Sequence, residues 1–450
     1  MRLKLLTLAL ALAVTSLPSH GEDLLDAYRE ARASDPVLAQ ADATRLSTGE
    51  GVDQARALLL PQVSAGLTLS QTNGGGSGTT IQDPNNPGQF IDTSQFGHTR
   101  TRSINGTLSQ TIFDFSKYAN LKAAHSAANA QNDAYQAAEQ DLLVRVATAY
   151  FGVLTSEDAL TFAKANEDAY KQQYEQAEQR YKVGLSAITD AYQAKAYYES
   201  AKAQTITAQN TLNDAREALT QITGKPTGEL KKLRDDLPLQ PPSPADPESW
   251  VRQATESNPN LLAQQENVNT AEHNISAARA GHLPTISADV SYGKNASWYQ
   301  NAAIHDNRPG STTIGVTLSV PIFSGGATQS RVRQSIYQRD AAVDGMEQQR
   351  RQVVRDTLNY YRSVIAGISE VESGKASVEA SQKALDATRA GFNVGTKTIT
   401  DVLLSIQTLT SSESSYSQAR HQLILNKLLL QQAAGTADLK DLQTINALLQ

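Results

Sequence analysis

Two periodicities alternate along the chain. Over residues 63–70, Val63, Ala65, Leu67 and Leu69 fall on one side, with Ser64, Gly66, Thr68 and Ser70 between them. The same period of two recurs over 104–112, 286–292 and 314–322, where Ile314, Val316, Leu318, Val320 and Ile322 oppose Thr313, Gly315, Thr317 and Ser319. Strict alternation predicts strands. Each half is expected to contribute a pair of strands of about 8 to 11 residues, the length a tilted membrane strand needs. After each second strand the pattern changes. Residues 116–183 are rich in Ala, Gln, Glu and Lys, with Gly152 their only glycine, and predict a helix of about 100 Å at 1.5 Å per residue. Small residues at 123, 127, 130, 134, 137 and 138 suit close packing in a coiled-coil-like wall. Gly184 ends that helix as a C-terminal cap would. A second helix is predicted over 187–222. A third starts at Asp35-Pro36, an N-cap followed by a first-position proline, and reaches about Leu58.

The second half repeats the first. Asp35-Pro36, Ala55-Arg56-Ala57 and Leu60-Pro61 recur 223 residues later as Asn258-Pro259, Ala278-Arg279-Ala280 and Leu283-Pro284. Ile112-Phe113 recurs as Ile322-Phe323, Val183-Gly184 as Val394-Gly395, Asp190 as Asp401 and Gly224 as Gly435, at offsets of 210 or 211. The change in offset falls on a Gly/Asn/Pro segment, 72–98, which reads as a loop of variable length. Pro226, Pro238, Pro241, Pro242, Pro244 and Pro247 mark a linker. No proline lies between Pro87 and Pro226 or after Pro321, leaving room for long helices. The expected organisation is a leader at 1–21, a first repeat at 22–224, a linker at 225–247 and a second repeat at 248–450. In each repeat the two shorter helices, end to end, nearly match the long one, so they are expected to stack beside it as a two-ply wall. Four strands cannot close a barrel, and lipid tolerates no open edge. Two, three or four copies would give 8, 12 or 16 strands.

Residues 1–21 have the three parts of a secretory signal: Arg2 and Lys4, an apolar run from Leu5 to Val14, and small residues around a cleavage site. Beyond them no apolar stretch approaches the ~20 residues of a membrane helix. Net charge is −6, and −8 without Arg2 and Lys4; concentrated in a lumen, that charge would favour cations. An acidic chain without a basic stripe is a poor nucleic-acid binder. With no Cys in the sequence, disulfides, thiolate metal sites, a cysteine nucleophile and N-terminal lipid acylation are all excluded.

In order and spacing, Leu60-Pro61-Gln62, Gln110-Thr111-Ile112-Phe113-Asp114, Val183-Gly184-Leu185, Ala187-Ile188-Thr189-Asp190, Gly281-His282-Leu283-Pro284-Thr285, Val394-Gly395-Thr396 and Thr398-Ile399-Thr400-Asp401-Val402-Leu403 resemble the TolC family of outer-membrane efflux channels over essentially the whole chain. The resemblance implies a mixed, mainly α fold. A homotrimer would join a 12-stranded transmembrane β-barrel to a periplasmic α-helical barrel of long coiled-coil helices. It implies a passive outer-membrane conduit for drugs, toxic solutes or secreted proteins, with no enzymatic activity and no cofactor. Its implied partners are outer-membrane lipid, a periplasmic adaptor and an inner-membrane transporter of RND, ABC or MFS type. Recruitment of those partners would open the periplasmic tip.

The helix turns at 181–190 and 392–401 form the expected tip. Gly184 and Gly395 permit a left-handed cap, and Asp190 and Asp401 lie near helix N-termini, where a carboxylate is stabilised; on these grounds alone they are caps. The resemblance adds a gate. It implies that Asp401 lines the closed entrance, with a second acidic ring three positions on; here that position is Leu404, so one acidic ring beside an apolar one is expected. Thr189 and Asp190 keep the gate partners usual in the family. Phe392 stands where a tyrosine is usual and Lys397 where an arginine is, so packing and a Lys397–Asp190 pair are expected to replace a richer bonding set. Gly184, Leu185, Gly395 and Thr396 are the implied adaptor contacts.

The sequence carries no catalytic motif. The seven histidines show no paired metal-ligand spacing, and there is no phosphate loop or nucleophile elbow. The glycine run at 74–78 fits an exposed loop tip. The competing class is a soluble periplasmic coiled-coil scaffold or adaptor-like protein, which would explain the helices but not four alternating strands.

Overall fold

A computed structural model describes residues 21–73, 80–83, 86–92, 98–299, 305–307 and 309–450. Most of the leader and the glycine run at 74–78 lie outside the described residues. The chain forms helices α1 (Leu24–Ser34), α2 (Pro36–Ala57), α3 (Phe115–Lys182) and α4 (Ile188–Thr223), then α5 (Pro247–Ser257), α6 (Pro259–Ala280), α7 (Ala327–Asn393), α8 (Ile399–Ala433) and α9 (Leu439–Asn446). Its strands are β1 (Gln62–Asn73), β2 (Thr80–Gln82), β3 (Phe90–Asp92), β4 (His98–Phe113), β5 (Thr285–Tyr299), β6 (His305–Asn307) and β7 (Ser311–Ser319). Corresponding helices of the two halves match in length: 11 and 11 residues for α1 and α5, 22 and 22 for α2 and α6, 68 and 67 for α3 and α7, 36 and 35 for α4 and α8. Two compact units result, and each draws on both halves of the sequence.

One unit comprises Arg45–Gln131 and Gln264–Met346. Its sheet runs β1-β4-β5-β7, antiparallel throughout, with β6 also on β5 and a separate β2–β3 hairpin. β4 and β5 reach 16 and 15 residues, longer than the alternation alone suggested. The fourth strand is shorter at its end than expected: it stops at Ser319, because Pro321 has no N–H to give a ladder. The apolar side of the sheet is bare, with Val63 76%, Leu69 71%, Ile314 76% and Val316 71% exposed. Water does not reward such a face, but lipid does. Gln110 Nε2 donates to the Leu59 carbonyl (2.9 Å) and Lys117 Nζ to Thr111 Oγ1 (2.6 Å), tying the strand ends to the helices that flank them.

The other unit comprises the residues up to Thr44, Asn132–Ala263 and Glu347–Gln450. Its main core gathers α1, the middle of α3, α4, α8 and α9 around Tyr150 and Phe151, both almost wholly buried. The proline-rich stretch is no loose tether. Leu230 and Leu233 enter this core, Glu22 and Leu230 form a parallel bridge, and Leu233 and Leu449 an antiparallel one. Tyr150 Oη donates to the Glu22 and Lys231 carbonyls at 3.1 and 3.0 Å. Asp35 caps α2 by accepting from the Leu38 amide (2.8 Å) and receives both guanidinium nitrogens of Arg145, at 3.1 and 2.8 Å. The Arg145 hydrogen bonds hold its buried carboxyl below the ordinary carboxylate range. In the second half the corresponding cap is Asn258, whose Nδ2 donates to the Ala433 carbonyl at 3.0 Å.

Candidate tip site

The site residues named from the sequence all fall in this second unit, on two helix turns. Each turn is a Schellman closure. At the first, the Gly184 amide donates to the Tyr181 carbonyl (2.9 Å) and the Leu185 amide to the Arg180 carbonyl (2.8 Å). At the second, the Gly395 amide donates to the Phe392 carbonyl (3.1 Å) and the Thr396 amide to the Gly391 carbonyl (2.8 Å). Both glycines are left-handed, with φ of 73° and 83°, the conformation that makes this cap a glycine position. No atom lies within 4 Å of a Cβ built on either, so backbone conformation and not crowding selects glycine there. Around them Val183, Leu185 and Val394 are 68%, 71% and 75% exposed. Two open turns thus carry bare aliphatic side chains.

The helices that leave these turns start differently. α8 has a full capping box: Thr398 Oγ1 accepts from the Asp401 amide (3.2 Å), while Asp401 Oδ2 accepts from the Thr398 amide and hydroxyl, both at 2.9 Å. The Thr398 amide and hydroxyl, with a smaller push from Lys397, hold the Asp401 carboxyl below its usual range. The spacing Thr-x-x-Asp announces that box in the sequence. α4 has no side-chain cap at Ala187; Asp190 Oδ2 instead accepts from the Ser186 hydroxyl at 2.8 Å. Thr189 and Lys397 are exposed, and Leu404 is 48% exposed one turn beyond Asp401.

Beneath the turns lies a second core made by Tyr170, Ala177, Ala191, Ala194, Leu385, Ile399, Val402, Leu403 and Ile406. It joins both hairpins of one chain. Tyr170 Oη donates to the Leu403 carbonyl (3.2 Å), and Thr400 Oγ1 to Gln193 Oε1 (3.2 Å). Burial, with Tyr197 beside it, pushes the Tyr170 hydroxyl up to about 12. Phe392 packs on this core and the guanidinium of Arg180 sits 4.9 Å from its ring centre, a cation–π contact. The expected Lys397–Asp190 pair is not formed within one chain; Asp190 is bonded to Ser186. Arg180 was not anticipated, because a cation–π contact between residues so far apart in sequence leaves no local pattern. Gly391 was also missed: its carbonyl accepts from the Thr396 and Lys397 amides and the Thr396 hydroxyl, and a Cβ there would strike Lys397.

A sheet with one bare apolar face and one hydroxyl-rich face, together with paired long helices ending in open turns, defines an outer-membrane channel. No helix among the described residues is long and apolar enough to cross a membrane. The family described as "Outer membrane efflux protein" matches residues 27–225 and 250–436, and the chain belongs to it. It is 33% identical to outer membrane protein TolC of Escherichia coli (strain K12), over 98% of this chain and 88% of that one. It is 26% identical to the alkaline protease secretion protein AprF of Pseudomonas aeruginosa, over 94% and 86%. The solved outer membrane protein VceC of Vibrio cholerae shares the fold, with a TM-score of 0.75 at 18% identity over 92% of this chain and 96% of that one. The protein is an exit channel of the outer membrane, a transport conduit and not an enzyme.

Proposed function

We propose that three copies of this chain form one closed tube that exports small toxic solutes, and secreted proteins of the type I pathway, through the outer membrane. Four long strands per chain and the bare apolar face favour this assembly, since no closed barrel can be made by one copy. The layout would be a cleaved leader at 1–21, repeats at 22–224 and 248–450, and the linker at 225–247. Members of this family work with an adaptor and an inner-membrane transporter. Here the adaptor would dock on the open turns at Gly184, Leu185, Gly395 and Thr396, and the transporter would be of RND, ABC or MFS type.

The observation that carries the gate reading is the joint placement of Asp401 and Leu404 on consecutive turns of α8, beside the exposed turn. Three copies would present one ring of carboxylates and one ring of leucines. The Asp401 oxygen already accepts two hydrogen bonds from Thr398, so little of its charge is free to hold a cation. Thr189, Asp190 and Lys397 would meet across neighbouring chains, with Phe392 held from within by Arg180. Single-channel recordings in planar bilayers test this. Wild type should show weak block by trivalent cations, Asp401→Ala weaker still, and Leu404→Asp at least tenfold stronger block. Lys397→Ala should raise conductance. Strong wild-type block that persists in Asp401→Ala would overturn the single-ring gate, and unchanged conductance in Lys397→Ala would remove Lys397 from it.

A further inference from the structure

The apolar face of the sheet is not uniform along its length. Directly paired strand residues share a face, so the ladder registers sort the face into rows. Toward the helix junctions, the rows Val63–Leu108–Val290–Ile314, Gln110–Ala288–Val316 and Phe113–Ile286–Leu318 are uncharged. Toward the far ends of the strands the rows are Leu67–Ile104–Lys294, Leu69–Arg102–Ala296 and Gln71–Arg100–Trp298. Three cations therefore occupy three successive rows on two adjacent strands, all at the end away from the helices. The four long strands carry a single carboxylate, Asp289, and it pairs with Ser109 and Gly315 on the opposite face. Among the described residues no carboxylate forms an ion pair with Arg100, Arg102 or Lys294. Arg100 Nε donates to Gln71 Oε1 at 3.0 Å, and Arg102 lies 5.5 Å from the centre of the Trp298 ring.

The depth of this cluster is telling. An apolar band of about 25 Å is crossed by about ten residues of a strand tilted near 40°. Counting from Ile286, the first residue of β5 on the apolar face, ten steps along the strand reach Ala296, in the row of Arg102. Lys294 lies one row inside that boundary, within reach of it by extending its stem. Trp298 lies one row outside, where an interfacial aromatic belongs. The cations thus stand at the level of the headgroups, on the lipid side, at the loop end of the barrel, in the outer leaflet. Cross-strand and alternate-residue neighbours are about 5 to 8 Å apart, so three like charges repel one another unless an anion joins them. In a chain of net charge −6 this patch is a local exception.

We propose that Arg100, Arg102 and Lys294 bind the phosphate groups of an outer-leaflet glycolipid, with Trp298 packing beside its headgroup. The occupant is a lipid and not free phosphate because the site is continuous with the apolar rows beneath it, which would take the acyl chains. Basic pockets at a membrane surface recognise phosphorylated headgroups in this way.

Native mass spectrometry of the full detergent-purified channel tests the assignment, using a bis-phosphorylated lipid A, the same glycolipid dephosphorylated, and inorganic phosphate as probes. Wild type should retain the phosphorylated lipid, and R100Q/R102Q/K294Q should bind it at least tenfold more weakly. The dephosphorylated lipid should bind both forms alike and poorly. A control, R331Q/R333Q on exposed positions of α7, should bind as wild type. Arg102→Lys, which keeps the charge, should retain most of the affinity, and Arg102→Gln and Lys294→Gln singly serve should the triple variant not fold. Undiminished lipid retention in the triple variant would overturn the proposal. So would wild-type binding of inorganic phosphate as tight as that of the lipid, which would make this a free-anion site.

Discussion

At the scale of single residues, several titratable groups are tied to the fold by burial and hydrogen bonds. His421 on α8 is buried beside Phe151, with its Nδ1 hydrogen-bonded to the Thr155 hydroxyl at 2.8 Å. Burial, reinforced by Arg420 and only partly opposed by Asp158, lowers its pKa to about 4. The unfolded chain, titrating near 6.5, therefore binds more protons between those values. Stability is complete above pH 6.5 and falls as the pH drops toward 4, by up to about 3 kcal/mol per chain. Chemical unfolding of the detergent-solubilised protein at pH 7.5, 6 and 4.5 should show that loss, and His421→Gln should flatten it over the same window. An unchanged slope in the variant would mean that His421 is not the group that titrates. The Asp35–Arg145 pair belongs to the same class. Asp35 was legible as a cap, but Arg145, 110 positions away, was not, because sequence spacing says nothing about which turn of a long helix passes a given cap.

At the scale of elements, helix ends were the most readable features, because a cap is a local bargain between one backbone conformation and one or two side chains. Gly184, Gly224, Gly395 and Gly435 all have positive φ. The α3, α4 and α2 boundaries fall within a residue or so of those read from Asp35-Pro36 and the glycine stops. The helices α1, α5 and α9 were missed: at 11, 11 and 8 residues they are too short for periodicity to stand out, although Asp23, Asp246 and Asp438 cap them. What the sequence hides is why a glycine is needed. Gly395 needs only its dihedral, but a side chain at Gly435 would strike the Ser257 carbonyl as well. Gly395→Ala should therefore cost about 1–2 kcal/mol, the ordinary left-handed penalty. Gly435→Ala should cost clearly more, by forcing α8 away from the end of α5. Comparing unfolding midpoints of the two variants checks this, and equal costs would show that the second contact relaxes freely.

At the scale of the whole molecule, the two outer strands of the sheet set the question of copy number. Among the described residues of one chain β1 pairs only with β4, and β7 only with β5, so each leaves an edge of N–H and C=O groups that lipid cannot satisfy. The alternating faces predicted these strands, but nothing local could say how many copies share the barrel. The edges make that question testable. A chain with no cysteine accepts an engineered pair without background. One cysteine would replace Ser64 on β1, and the second would replace Thr313, Thr317 or Ser319 on β7 in turn, all on the hydroxyl-rich face. If β1 of each copy joins β7 of the next, one of these pairs will come within disulfide reach. Oxidation in native membranes should then give linked dimers and trimers on a non-reducing denaturing gel, with the ladder ending at three chains and collapsing on reduction. Three copies of four strands would make twelve, an even number as barrels of this kind require. A ladder that continues to four, or monomer in every pairing, would reject the three-chain barrel.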